Sequence, residues 1–76
     1  MDKYELEDLK RRLDFRYNGD LGALQHKSNA FCEMLRVLRS TGQITKEQYN
    51  ELGQQIIEKF KTELQYAINH PYDFIS

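Results

Sequence analysis

The chain of 76 residues has little that could staple or interrupt a fold. Its single cysteine, Cys32, can form no internal disulfide, so a reducing compartment suits it. Proline occurs once, at Pro71, and tryptophan not at all. No apolar run exceeds three residues, which excludes a membrane-spanning helix. Met1-Asp2-Lys3-Tyr4-Glu5 has no apolar stretch behind a basic head, so no secretory signal is expected. These absences predict a cytoplasmic protein with no membrane partner. Charge of one sign is missing too: 11 Lys and Arg stand against 12 Asp and Glu, for a net charge of −1. The strongly basic balance typical of nucleic-acid binders is therefore absent, as is the acidity of a nucleic-acid mimic. A domain this small buries only roughly 60% of its unfolded surface, which leaves little room for an enclosed active site. One domain, residues 1–76, is expected.

What remains is rich in Leu, Glu, Gln, Lys and Arg and biased toward helix. The apolar spacing predicts an all-α three-helix bundle, with helices at about 2–17, 21–40 and 46–69. In the first, Leu6, Leu9, Leu13 and Tyr17 form one stripe, and Asn18-Gly19 supplies a stop. In the second, Asp20 is the candidate N-cap. Leu21, Leu24, Ser28, Phe31, Leu35 and Leu38 hold a heptad register beside a second row of Ala23, Ala30, Met34 and Val37. The third begins at a capping box, Thr45-Lys46-Glu47-Gln48, with Ile44 and Tyr49 as the two ends of a hydrophobic staple. Gly42 fits the position after the preceding helix. Tyr49, Leu52, Ile56, Ile57, Phe60, Leu64, Ala67 and Ile68 share the main face. Gly53 falls inside that face at a cost of roughly 1 kcal/mol relative to Ala, which predicts close approach of a neighbouring helix. The helix should end by His70, ahead of Pro71. The short tail carrying Tyr72, Phe74 and Ile75 is expected to pack back onto the bundle. A long helical hairpin that dimerises with a docked N-terminal helix is the alternative architecture, and the sustained heptads make a homo-oligomer plausible.

Leu35, Leu38, Gly42, Ile44, Thr45 and Tyr49 lie in the segment MLRVLRSTGQITKEQYNELGQQII, residues 34–57. This segment resembles the helical hairpin of short C-terminal (SHOCT) domains: a leucine-bearing helix, Gly-x-Ile-Thr, then an acidic or Gln residue and an aromatic. The resemblance covers about a third of the chain. It implies an interaction or oligomerisation element without catalysis.

Catalytic and metal-binding constellations are not found. His26 and Cys32 are six residues apart, about 120° out of register on a helix, and no paired-ligand spacing occurs. Neither metal nor cofactor is expected. His70 reads as a cation at a helix C-terminus, and the glycines at 19 and 22 have no Lys-Ser/Thr sequel to cradle a phosphate. The chain is not expected to be an enzyme.

Two surfaces stand out. Lys10, Arg11, Arg12 and Arg16, with Arg36 and Arg39, form a basic set that would serve a nucleic-acid partner. However, Glu7 to Arg11 and Asp8 to Arg12 are i,i+4 pairs, as a solvated salt-bridged face would have. The other surface is aromatic. On a continuous first helix Tyr4 and Phe15 lie opposite the leucine stripe, with Asp8 and Arg11 between them. Tyr66, Tyr72 and Phe74 add to this set. Aromatics and Arg dominate binding hot spots, so Tyr4, Arg11, Phe15, Tyr66, Tyr72 and Phe74 are the candidate contacts for a partner protein. The competing reading is that the tail covers Tyr4 and Phe15 as a second small core. The leading expectation is a non-catalytic regulator, adaptor or inhibitor that occupies a partner sterically, of the kind found among bacterial and phage accessory proteins. Nucleic-acid binding and a structural homo-oligomer are the alternatives.

Overall fold

The computed structural model describes residues 1–70. It is an all-α three-helix bundle: α1 spans Lys3–Arg12, α2 spans Leu21–Ser40 and α3 spans Lys46–Asn69. The expected tail packing of Tyr72, Phe74 and Ile75 lies outside the described residues.

Local capping sets most of the boundaries. Asp2 accepts from the Glu5 backbone N–H at 2.8 Å and starts α1. Asp20 accepts from Ala23 N–H at 3.2 Å and starts α2 at Leu21. Thr45 and Gln48 form the full capping box: Gln48 N–H donates to Thr45 Oγ1 at 3.0 Å, and Thr45 N–H donates to Gln48 Oε1 at 2.9 Å. At the end of α2, Gln43 N–H reaches back to the Leu38 carbonyl and Gly42 N–H to that of Arg39. Gly42 carries the positive φ of +77° that this closure needs. His70 ends α3, its N–H bonded to the Tyr66 carbonyl.

The first helix is shorter than its spacing predicts. It ends at Arg12 rather than Tyr17, with Leu13 as C-cap at φ −81°, ψ 52°. The reason is Phe15. On a continuing helix, residues two apart point roughly 200° from one another, so Leu13 and Phe15 cannot both face the core. Leaving the helix puts both inward, and Leu13 and Phe15 are buried. Fully covering a Phe side chain gains about 1.5–3 kcal/mol.

α2 and α3 form an antiparallel hairpin joined through residues 41–45, and together they supply most of the packing. Leu24, Leu35, Ile44, Leu52 and Ile56 fill its seam, and Leu9, Leu13 and Phe15 close over it. Phe15 and Phe31 meet at 5.7 Å between ring centroids, tilted by 47°. The N-terminal segment is fixed to α3 by a ladder of polar side chains. Gln48 donates to the Met1 carbonyl, Glu51 pairs with Lys10 at 2.6 Å, and Gln55 donates to the Lys10 carbonyl at 2.9 Å. Lys59 pairs with Asp14 at 3.3 Å, and Glu63 accepts from Tyr17 N–H at 2.8 Å. α1 and the non-helical residues after it therefore run alongside α3 in the same direction.

Gly53 departs from expectation: among the described residues, nothing beyond its own turn of α3 lies within 4 Å of where its Cβ would sit, so neither α1 nor α2 approaches it closely. Gly53→Ala should then stabilise the fold by about 1 kcal/mol, the helix-propensity difference, measured by urea unfolding at low micromolar concentration.

Candidate interaction surface

The aromatic set divides. Tyr4 stands on the outer face of α1 and is 86% exposed. Phe15 is only 4% exposed and belongs to the core, because the helix that was to carry it outward ends before it. The partner that covers it is Phe31 of α2. Tyr66 is partly exposed and stacks on His70, with ring centroids 4.1 Å apart. Tyr72 and Phe74 lie outside the described residues.

The basic set divides too. Lys10 is held by Glu51 and Glu7, Arg12 by Asp8 at 2.8 Å, and Arg36 by Glu33 at 3.0 Å. Of the two expected i,i+4 pairs, Asp8–Arg12 forms, whereas Glu7 turns to Lys10 at 3.7 Å. Arg11, Arg16 and Arg39 are exposed. The cations are thus interleaved with carboxylates rather than gathered into one field.

Beside the end of α1, Lys10, Arg11, Asp14, Glu58 and Lys59 border an open groove of about 550 Å³ against α3. Its charges are mixed, and Asp14 is already paired with Lys59. The hydrogen bond that the Lys10 ammonium donates to Glu51 raises its pKa above the ordinary value of 10.5, against partial desolvation, with the charges of Glu51 and Glu7 adding to the effect. A lysine shifted in this direction stays protonated at neutral pH, whereas a general base needs its free-base form. Among the described residues, no group of three or more His, Cys, Asp or Glu is placed to hold a metal ion. Cys32 is a half-buried boundary residue of α2. Among the described residues, no helix is long and apolar enough to cross a membrane.

What sequence reasoning missed are the ties to the N-terminal segment made by Gln48, Glu51, Gln55, Lys59 and Glu63. Their spacing of three and four marks one α3 face, but a solvated face has the same composition. No family model, curated protein or solved structure matches the chain.

Two outcomes follow from this geometry. Phe15→Ala should cost about 3–5 kcal/mol, enough to unfold a domain of this size, whereas Tyr4→Ala should change stability by no more than about 0.5 kcal/mol; urea denaturation followed by circular dichroism separates them. A lysine raised in the folded state stabilises fully below its unfolded value and loses that contribution as pH climbs through the folded one. Stability should therefore fall above pH 10.5, and Glu51→Gln should remove that part of the alkaline slope.

Proposed function

We propose that the protein is a non-catalytic interaction module, a small cytoplasmic regulator, adaptor or inhibitor that acts by occupying a partner protein. The observation that carries this reading is the outer face of α1. Tyr4 is almost fully exposed there, and Arg11, two helical turns on, is exposed on the same side. Tyr and Arg are the side chains most enriched at binding hot spots. An aromatic left in water on a well-capped helix loses little entropy when a partner covers it. Phe15, which belongs to the core, has no part in this surface. The face is available without rearrangement, because α1 is held from behind by the α3 polar ladder.

The basic residues support a nucleic-acid partner less well. Three of the six, Lys10, Arg12 and Arg36, are engaged by carboxylates. Releasing them would cost part of the electrostatic gain that such binding depends on.

The test is capture from native host lysate by tagged protein, in nuclease-treated and untreated halves, with a Tyr4→Ala/Arg11→Ala double variant alongside. The expected result is one stoichiometric protein that survives nuclease and is reduced at least tenfold by the double variant, whose helicity is unchanged. Capture that vanishes with nuclease, or that the double variant leaves intact, overturns the assignment.

A further inference from the structure

The chain has four asparagines, and three of them are held in helices. Asn29 lies inside α2, Asn50 lies inside α3, and Asn69 is the last residue of α3. Asn18 alone lies in the connection between α1 and α2. It is exposed, and so is the residue after it, Gly19.

An asparagine can be converted by its own backbone. The nitrogen of the following residue closes a five-membered ring on the side-chain Cγ, and ammonia leaves. The attacking N–H must be free, the backbone must be able to bring it to Cγ, and the next side chain must not shield it.

The helical asparagines fail the first two conditions. The N–H after each is tied to a carbonyl one turn back. Ala30 and Glu51 belong to the ladders of α2 and α3, and His70 N–H donates to the Tyr66 carbonyl at 2.9 Å. A helical ψ of about −42° also holds that nitrogen away from the side chain.

Asn18 is placed differently on each count. No hydrogen bond engages Gly19 N–H among the described residues. Asn18 lies outside the helices, so no ladder pins its backbone. Gly19, at φ +100°, has no side chain to shield its nitrogen. One further contact favours reaction. Asp20 N–H donates to Asn18 Oδ1 at 3.2 Å. That oxygen takes up negative charge as the ring closes, and a donor already aimed at it stabilises the charge.

We propose that Asn18 is a self-modifying site of the folded protein, converted through a cyclic imide to aspartate and isoaspartate. Hydroxide removes the Gly19 amide proton. The nitrogen electron pair forms the bond to Cγ, and the Cγ–Nδ2 bond breaks as ammonia leaves with a proton from water, which restores hydroxide. Water then opens the imide. Cleavage of the new N–Cγ bond gives aspartate, and cleavage of the original bond between Asn18 and Gly19 gives isoaspartate. Either product adds one negative charge. Isoaspartate also lengthens the main chain by one carbon, between the Tyr17–Glu63 tie and the Asp20 cap of α2. The site involves neither Tyr4 nor Arg11, so the proposal stands independently of the partner assigned to that face.

The test incubates the purified full chain at mildly alkaline pH, with and without guanidinium chloride, and maps timed samples by tryptic digestion and mass spectrometry. Trypsin puts Asn18 in the peptide 17–27 and each other asparagine in a separate one. In the folded chain, the Asn18 peptide should convert at least tenfold faster than the other three. Isoaspartate methyltransferase with labelled S-adenosylmethionine should mark it. Unfolding should speed the helical asparagines at least tenfold and Asn18 by much less. Asn18→Gln, whose ring closure would need a slower six-membered imide, should remove the early ammonia release and the label while circular dichroism stays unchanged. An Asn18 peptide that converts only in guanidinium, conversion without an isoaspartate label, or ammonia release that Asn18→Gln leaves intact each overturn the proposal.

Discussion

The fold turns on covering two side chains that sit two residues apart. Leu13 and Phe15 both need the interior, and a helix can deliver only one of them. The chain resolves this by ending α1 at Arg12 and running without regular structure through residue 17. The Phe15 ring then closes on Phe31. The break gives up helical hydrogen bonds after Arg12, and burial of an aromatic offsets that loss. Two other features depend on the same break. The segment after Arg12 stays beside α3 long enough for Asp14 and Tyr17 to find Lys59 and Glu63. The outer face of α1 is left short, so Tyr4 and Arg11 stand on a helix of only ten residues.

The polar ladder between the N-terminal segment and α3 has a different role from the core. Its ion pairs are partly exposed, and pairs of that kind contribute about 0–1 kcal/mol each. They add little to the apolar seam of the hairpin. Their effect is on register: Gln48, Glu51, Gln55, Lys59 and Glu63 each hold one point of the N-terminal segment, which fixes how far along α3 it lies. Gln48 does this while completing the capping box, so the start of α3 and the placement of α1 share one side chain.

Much of this was legible in the residues, and what was not has physical reasons. α2 and α3 lie where Asp20, Gly42, the Thr45–Gln48 box and the approach to Pro71 place them, because caps act over three or four residues and leave a local mark. The end of α1 was hidden because Leu6, Leu9, Leu13 and Tyr17 keep a helical spacing, which conceals the alternation Leu13-x-Phe15-x-Tyr17. The ladder was hidden because Gln, Glu and Lys on a helix surface look alike whether they meet water or a neighbouring backbone. Periodicity put Leu21, Ile57 and Ile68 on the core-facing stripes, but they are 52%, 47% and 63% exposed, because among the described residues no helix covers that side of the α2/α3 hairpin. The candidate site was half legible for the same reason that the break was missed: Tyr4 stayed outside, and Phe15 did not.

The polar ties that hold the N-terminal segment to α3 reach across 41 to 47 residues of sequence. The hairpin itself is built from contacts that close through a short turn. During synthesis, then, α1 emerges well before anything exists for it to rest on, while α2 and α3 can pair as soon as both have left the ribosome. Loop closure thus favours placing the face that displays Tyr4 last, on a hairpin that has already formed.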